Sequence, residues 1–311
     1  MDWARDGHSW PHHDKSRFVL SGGRRWHVQQ WVAAAADAPQ LLLLHGTGAS
    51  THSWRGLAPL LGRAAGVLAV DLPGHGFSDA ARGQGATLPG MAAGLAALLH
   101  EIGLRPSVLV GHSAGAAIAA RMALDRPQGL RSVISLNGAL LPLHGWAGQL
   151  FSPLAKLLAA NRLVPQLFSW RAADQLLVRR LIAGTGSRID DAGVALYGRL
   201  VADPAHVAGA LAMMANWDLR ALAAELPRLR APLHLLAGAR DRTVPPSVSQ
   251  RVAGMLPAST LELLPGLGHL AHEEQPQQVF ELTRPWIEGS GMPVSSQAAL
   301  GGPQAAREAP P

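Results

Sequence analysis

Residues 107–119 have the sequence Ser-Val-Leu-Val-Gly-His-Ser-Ala-Gly-Ala-Ala-Ile-Ala, an apolar run followed by a glycine-flanked serine and then by small residues. The apolar run is short and rich in Val and Leu, which indicates a buried strand. The residues that follow suit a helix from Ala116 to Arg126, which Pro127 would stop. Ser113 is therefore predicted to lie on a sharp turn between a strand and a helix.

A serine on such a turn is suited to nucleophilic chemistry. Gly111 and Gly115 leave room for a strained backbone at Ser113, and the strain presents the hydroxyl to a pocket. The helix behind the serine directs free N–H groups and the positive end of its dipole toward negative charge that develops there. Because Gly-x-Ser-x-Gly also occurs by chance in a chain with 34 glycines, the interpretation needs support from the rest of the sequence.

The pattern on both sides of this turn predicts an α/β fold with an eight-stranded, mostly parallel sheet flanked by helices. A Ser-Gly-Gly turn joins two strands near the start of the chain, and short apolar runs then alternate with helical patterns. Besides the strand before Ser113, the predicted strands are residues 17–20, 24–32, 40–44, 67–70, 131–136, 232–237 and 260–264. Besides the helix after Ser113, the main predicted helices are residues 54–65, 88–102 and 276–287.

The alternation of strands and helices stops after Asn137, and only helical patterns occur up to about Met214. Strands resume at Pro232, and beyond Gly289 the composition is dominated by Gly, Pro, Ser, Gln and Ala. We therefore expect residues 1–137 and 216–288 to form the core. Residues 138–215 are predicted to form an inserted helical cap, and residues 289–311 a disordered tail.

A base and an acid that could activate Ser113 follow two of the predicted strands. A serine hydroxyl needs a base to accept its proton, and the base needs a carboxylate to fix its tautomer. Asp241 follows strand 232–237 and His269 follows strand 260–264, so both are predicted at the same sheet edge as Ser113. The sequence predicts Ser113, Asp241 and His269 as catalytic residues. His272 is an alternative base, and Asp218 an alternative acid that is more simply a helix cap.

Further residues are candidates for binding the substrate. The backbone N–H groups of Thr47 and Ala114 are predicted to form an oxyanion hole, because one follows a central strand and the other begins the helix after Ser113. His45 is expected to be structural. Asn137, at a strand end, is predicted either to line the substrate pocket or to form a plain turn; the other predicted pocket residues are the cap aromatics Trp146 and Phe168.

Composition excludes several other classes of protein. The formal net charge is +6 but the arginines are scattered, so no nucleic-acid surface is visible, while peripheral contact with anionic lipid stays open. The chain has no cysteine and no motif for a metal, a nucleotide phosphate or a dinucleotide, so no metal or cofactor is predicted. The polar start lacks the apolar segment of a secretion signal, and we expect a cytoplasmic protein without a transmembrane segment.

Together these motifs resemble a known superfamily over nearly the whole chain. They are His45-Gly46-Thr47-Gly48, Asp71-x-Pro73-Gly74-His75-Gly76-x-Ser78, Gly111-His112-Ser113-Ala114-Gly115, Gly238-x-x-Asp241-x-x-Val244-Pro245 and Gly268-His269-x-x-x-x-Glu274-x-Pro276. The set resembles the α/β-hydrolase superfamily. That resemblance implies the α/β-hydrolase fold and a Ser-His-Asp triad, and the three predicted catalytic residues match its positions one for one.

Other stretches look like the magnesium-chelatase accessory proteins of bacteriochlorophyll synthesis. They are Met1-Asp2-Trp3, Trp10-Pro11-His12 and residues 41–54, 110–122, 135–142 and 151–155. This resemblance implies a photosynthetic bacterium, a role near magnesium insertion into protoporphyrin, a tetrapyrrole ligand and contact with magnesium-chelatase subunits. Three alternatives stay open: a hydrolase of an ester or similar bond in that pathway, a general carboxylesterase or C–C bond hydrolase on an apolar small molecule, and a non-catalytic tetrapyrrole-binding or chelatase-assisting protein.

Overall fold

A computed structural model describes residues 1–81, 83–142 and 175–289 of the chain, and its strands form one eight-stranded sheet. The order across the sheet is β1-β2-β4-β3-β5-β6-β7-β8. β2 is antiparallel to both of its neighbours, and all other pairs are parallel. The strands are β1 (Ser16–Ser21), β2 (Arg24–Trp31), β3 (Gln40–Leu44), β4 (Gly66–Val70), β5 (Val108–His112), β6 (Ser132–Leu136), β7 (Leu233–Gly238) and β8 (Thr260–Leu264). The predicted fold class is confirmed.

The helices of the described residues lie mainly between and after the strands. They are α1 (Trp3–Asp6), α2 (Leu57–Leu61), α3 (Leu88–Ile102), α4 (Ala114–Asp125), α5 (Gln175–Gly184), α6 (Asp191–Val201), α7 (Pro204–Ala215), α8 (Arg220–Glu225), α9 (Pro246–Met255), α10 (Ala271–Glu274) and α11 (Pro276–Glu288). The predicted helix 54–65 was too long, since only Leu57–Leu61 is α-helical. Gly56 and Gly62 bound that helix, and glycine is a poor helix former.

Both faces of the sheet are covered, which explains why the central strands are continuously apolar. Along β3, Leu42 and Leu44 belong to the core cluster that includes α3 and α4 residues. Leu41 and Leu43 belong to the opposite cluster, with residues of α2 and α11. Because successive side chains of a strand point to opposite faces, an uninterrupted apolar run fills both layers at once.

Residues 175–215 of the predicted cap contain the three helices α5, α6 and α7. The division into a core of residues 1–137 and 216–288 and an inserted cap of residues 138–215 stays a prediction. The predicted disordered tail falls almost wholly outside the described residues, which end at Gly289. Within the described residues, no helix has both the length and the hydropathy to cross a membrane.

Candidate active site

The turn between β5 and α4 places Ser113 in a strained conformation. Its φ is 53° and its ψ is −118°, a backbone region that residues with side chains rarely occupy. Hydrogen bonds from Ser113 N to Leu136 O and from Ala139 N to Ser113 O, each 3.0 Å, hold this backbone. A methyl group at Gly111 would overlap the first turn of α4, and one at Gly115 would overlap the Leu44 carbonyl. The sharp turn predicted from the sequence is therefore present, and only glycine fits at these two positions.

The loop after β3 contacts the same turn. β3 pairs with β5, so both strands end at one edge of the sheet. A methyl group at Gly46 would lie 2.9 Å from Ser113 Cβ, which shows how closely this loop approaches the serine. Within the described residues, the N–H groups of Thr47 and Ala114 have no hydrogen-bond partner. Two free donors beside a serine hydroxyl can together bind an oxygen that carries negative charge.

Asp241 and His269 form a buried hydrogen-bonded pair on the loops that follow β7 and β8. His269 Nδ1 lies 2.7 Å from Asp241 Oδ2, and the other carboxylate oxygen accepts from the N–H groups of Thr243 and Val244 at 2.8 and 2.9 Å. These bonds fix the carboxylate. They also make Nδ1 of His269 the protonated nitrogen, which leaves Nε2 free to accept a proton.

No hydrogen bond joins Ser113 to His269 within the described residues, but the residue before the serine links the turn to the His269 loop. His112, which precedes Ser113, donates from Nε2 to the carbonyl oxygen of His269 at 2.9 Å, and the two rings are 4.8 Å apart. Burial lowers the pKa of His112 well below its usual value, so this ring is neutral. The His269 loop is thereby held beside the turn. Hydrogen bonds between a nucleophile and its base are often formed only when substrate is present.

The two alternative residues lie in less suitable surroundings. His272 is fully buried, neither ring nitrogen has a partner within the described residues, and burial lowers its pKa to about 3. Asp218 is a surface carboxylate whose Oδ2 accepts from Arg220 Nη2 at 2.6 Å. Of the candidate acids and bases, Asp241 and His269 are the two that the structure brings together.

Asn137, which the sequence predicts in the substrate pocket, contacts the acid and the loop of the base within the described residues. The residue is buried, and its Nδ2 donates to Asp241 Oδ2 at 2.8 Å and to the Gly268 carbonyl at 3.2 Å. The sequence identified a strand end beside the turn but could not show which group the amide would contact. The other predicted pocket residues, Trp146 and Phe168, lie outside the described residues.

Two neutral histidines hold the loop that carries Thr47. His45 Nδ1 donates to Gly46 O at 2.8 Å, and its Nε2 accepts from Leu72 N at 2.9 Å, which supports the expected structural role. His206 of α7 accepts from Gly76 N at 3.0 Å and donates to Gly48 O at 3.2 Å. Burial lowers the pKa of His206 to about 4. Sequence reasoning missed His206 because it belongs to no motif.

The loop between α5 and α6 contacts the loops that carry Asp241 and His269. Arg242 N donates to Thr185 O at 3.1 Å, and Leu270 N donates to Ser187 Oγ at 2.8 Å. This loop is therefore hydrogen-bonded to residues directly adjacent in sequence to Asp241 and His269. No motif indicated these contacts.

A second hydrogen-bonded chain of Ser, His and Asp lies near the start of the sheet. His27 Nδ1 is 2.7 Å from Asp71 Oδ2, and His27 Nε2 is 3.0 Å from Ser16 Oγ. Asp71 also accepts from the N–H groups of Thr51 at 2.6 Å and Phe77 at 2.9 Å. The sequence assigned the loop after Asp71 to turn geometry and did not connect it with the hairpin. Within the described residues, no group of His, Asp and Glu has an arrangement that could hold a metal ion.

The eight-stranded, mostly parallel sheet with helices on both faces defines an α/β class of protein, and the chain belongs to the α/β-hydrolase family. A family model described as alpha/beta hydrolase fold matches residues 39–276. The chain is 40% identical over 283 residues to the magnesium-chelatase 30 kDa subunit of Rhodobacter capsulatus, covering 90% of this chain and 97% of that protein. Both resemblances predicted from the sequence are thus confirmed as similarities.

Further similarities link the chain to a more distant relative and to a solved structure. The sn-1-specific diacylglycerol lipase of Mus musculus is 27% identical over 258 residues, which cover 79% of this chain and 80% of the lipase. The crystal structure of an alpha/beta hydrolase fold protein from Burkholderia ambifaria superposes with a TM-score of 0.71 at 24% identity, covering 87% of this chain and 97% of that one. The second similarity bears on the fold alone.

Proposed function

We propose that the chain is a serine hydrolase in which Ser113 is the nucleophile, His269 the general base and Asp241 the acid that orients His269. The observation that carries this proposal is the strained Ser113 at the start of α4, at the same sheet edge as the buried Asp241–His269 pair. A backbone that presents the hydroxyl, and a histidine with a fixed tautomer, are what nucleophilic catalysis by serine requires.

The proposed reaction proceeds in two steps. His269 Nε2 takes the proton of Ser113 Oγ as the oxygen attacks the carbonyl carbon of an ester or similar bond. The N–H groups of Thr47 and Ala114 stabilise the negative oxygen that forms. His269 then protonates the leaving group, and an acyl-enzyme remains. Water, deprotonated by His269, attacks the acyl carbonyl carbon. His269 then returns this proton to Ser113 Oγ as the bond between that oxygen and the acyl carbon breaks, which releases the acid and free Ser113.

We further propose that the substrate is apolar, of the tetrapyrrole class, and that the protein acts in the cytoplasm in bacteriochlorophyll biosynthesis near magnesium insertion into protoporphyrin. The support is the 40% identity to a magnesium-chelatase subunit over nearly the full length of both proteins. Magnesium-chelatase subunits are the proposed partners.

A second candidate function is non-catalytic: the protein binds a tetrapyrrole or assists the chelatase and hydrolyses no substrate. The name of the Rhodobacter capsulatus relative, which describes a chelatase subunit, favours it. Lipase activity in the name of another relative favours instead a hydrolase, including a general carboxylesterase or a C–C bond hydrolase on a small apolar molecule.

Reaction with a fluorophosphonate probe, together with hydrolysis of a short p-nitrophenyl ester, separates these candidates. We expect the probe to label Ser113 in the wild type, and Ser113→Ala to lose labelling and at least about 10³-fold in kcat/KM. Ser16→Ala is the matched control, because it removes the serine of the hydrogen-bonded series Ser16–His27–Asp71. This variant should keep both the labelling of Ser113 and the wild-type kcat/KM. Absence of labelling in the folded wild type, or a Ser113→Ala rate within tenfold of wild type, would favour the non-catalytic candidate.

The tetrapyrrole part of the proposal is tested by binding. Protoporphyrin IX and its magnesium form are titrated into the Ser113→Ala protein, and quenching of tryptophan fluorescence is followed. We expect dissociation constants well below about 100 μM, because that value corresponds to only about 5–6 kcal/mol, little for so large an apolar ligand. Weaker binding of both porphyrins would remove the support for this substrate class and leave the hydrolase proposal intact.

A further inference from the structure

The side chain of Asn137 joins the loops of the proposed acid and the proposed base. Asn137 directly follows β6, and its N–H bonds to the Leu236 carbonyl of β7 at 2.7 Å. One amide nitrogen donates to Asp241 Oδ2 at 2.8 Å and to the Gly268 carbonyl at 3.2 Å. Asp241 Oδ2 is also the oxygen that accepts from His269 Nδ1. Asn137 therefore meets the Asp–His pair at the atom through which the acid acts on the base.

These bonds determine the orientation of the Asp241 carboxylate. The backbone N–H groups of Thr243 and Val244 hold Oδ1, and Asn137 is the second donor on Oδ2 beside His269. An amide donor carries no charge and does not titrate, so it holds Oδ2 in place whichever protonation state His269 has. The carboxylate thus keeps one rotation throughout a reaction in which the base gains and loses a proton.

Two unfavourable features of this position bear on why an asparagine is present there. Its φ is 49°, in the left-handed region where asparagine is among the few side-chain residues that are tolerated. The amide carbonyl Oδ1 is buried without a hydrogen-bond partner among the described residues, which is an unfavourable state. Glycine would relieve both conditions but would supply no donor to Asp241. The contacts of this residue are consistent with a requirement for its N–H groups.

We propose that Asn137 is a positioning residue. It acts through Asp241 and fixes the loop of the acid relative to the loop of the base. It does not touch the substrate, in contrast to the pocket role that the sequence suggested. This inference rests on the proposed function, since it assigns Asn137 a part in the same reaction. The bond to Gly268, the residue before His269, extends the positioning to the backbone of the base.

Asn137→Gly is the direct test, because glycine keeps the left-handed backbone and removes only the amide. We expect kcat for the p-nitrophenyl ester to fall about 10- to 100-fold, the range for a small misplacement of a catalytic group, with KM within twofold of wild type. The low-field proton resonance of His269 Nδ1–H should shift or broaden. Asn216→Gly is the matched control: this exposed asparagine directly follows α7 and its side-chain Nδ2 donates to the Ala212 carbonyl, far from the Asp–His pair in sequence, so kcat and the resonance should not change.

Asn137→Asp is a second, isosteric variant that keeps the test decisive if the glycine variant does not fold. It places two carboxyl groups about 2.8 Å apart, where they share a proton and the pKa of the pair rises. The protonated form again donates to Asp241, so the kcat of this variant relative to wild type should recover as the pH falls from 8 to 6.

The outcomes separate this inference from the proposed function. If Ser113→Ala is inactive but folded Asn137→Gly keeps kcat within twofold and the resonance unchanged, the positioning role is wrong and the proposed function stands. A rise in KM with kcat and the resonance unchanged would indicate a substrate contact and also overturns it. If the wild type hydrolyses no ester, the proposed function fails, and the resonance alone decides whether Asn137 orients the Asp–His pair.

Discussion

Two regions of this molecule contain the same three residue types linked in the same way. In one, Asp241 Oδ2 lies 2.7 Å from His269 Nδ1, and in the other Asp71 Oδ2 lies 2.7 Å from His27 Nδ1. In the second region the hydrogen bonds extend to the serine as well, because His27 Nε2 lies 3.0 Å from Ser16 Oγ. Hydrogen-bond distances alone would therefore favour Ser16 as the nucleophile.

The difference between the regions lies in the backbone of the serine and in what surrounds the histidine. Ser113 has a φ of 53° and immediately precedes a helix, whereas Ser16 begins the extended strand β1. The Ser16 hydroxyl also accepts from Gln29 Nε2 at 3.2 Å. His27 is fully buried and contacts aromatic rings, with centroid distances of 5.0 Å to Trp3, 5.4 Å to Phe18 and 5.2 Å to Phe77.

The comparison teaches that a nucleophile needs more than a relay of hydrogen bonds. Ser113 lies on a strained turn where a helix begins, beside a loop whose Thr47 N–H has no partner within the described residues. The hydrogen-bonded series through His27 instead connects the first hairpin to the loop after β4. We infer that the first region supports chemistry and the second supports stability. The predictions below test that division.

The largest expected effect is on catalysis by the acid of the first region. Asp241→Asn should lower kcat for the activated ester by about 10⁴-fold, because the histidine loses its correct tautomer. Asp71→Asn, measured on the folded fraction, should leave kcat within about tenfold of wild type. Steady-state kinetics at low temperature, normalised to folded protein, is the measurement. An equal loss of kcat in both variants would remove the distinction between the regions.

The next effect is on stability and concerns the second region. Asp71 is fully buried; burial opposes its ionisation, but the charge of His27 and hydrogen bonds from His27 and the backbone hold its pKa below the usual range. Asp71→Asn should therefore lower the free energy of unfolding by about 3–5 kcal/mol, as expected when one partner of a buried pair is removed. Asp79→Asn, on the exposed end of the same loop, should cost less than about 1 kcal/mol in urea unfolding. Equal costs for both would show that the Asp71–His27 pair is not a structural support.

Protonation of buried histidines should make the whole fold sensitive to acid. Burial lowers their pKa values, so between the unfolded value of about 6.5 and the folded value the unfolded chain binds more protons. The free energy of unfolding is then highest above the unfolded pKa of about 6.5. It falls as the pH drops below that value, by up to about 1.4 kcal/mol per pH unit for each histidine. The histidines concerned are His45, His52, His75, His112, His206, His234 and His272.

Urea unfolding between pH 7.5 and 5 measures this slope. His234→Gln is the matched variant, because His234 lies on β7, its pKa is lowered to about 4, and its hydrogen bond is to Thr260 Oγ1. In this variant, the free energy of unfolding should depend less steeply on pH, because about one proton fewer is taken up on unfolding. A free energy of unfolding that does not change over this range would contradict the prediction.

The smallest expected effect separates the two serines by stability. Ser16→Ala removes the hydroxyl that bonds to His27 and should lower the free energy of unfolding by about 1 kcal/mol, with kcat unchanged. Ser113→Ala removes a hydroxyl that makes no hydrogen bond within the described residues, so its unfolding should change by less than about 0.5 kcal/mol while activity is lost. Thermal and urea unfolding of the two variants side by side is the measurement, and the reverse order of stability would contradict the division.

Much of this molecule follows from sequence because its signals are local. Apolar runs with turn residues at their ends located the strands, and Gly111 and Gly115 indicated the sharp turn at Ser113. The candidate acid and base followed from strand ends, since parallel strands bring their carboxyl ends to one edge. These inferences depend on backbone geometry and chain order, and both can be derived from neighbouring residues.

The tertiary structure alone decided which side chains meet across long separations. Asn137 and Asp241 are 104 residues apart, and His206 meets Gly48 across 158 residues, with no local pattern that links either pair. The chain through Ser16, His27 and Asp71 was likewise invisible, because its members lie on a hairpin and on a distant loop. Such contacts depend on how whole elements pack and on which buried polar groups remain to be satisfied, and neither is a property of a sequence window.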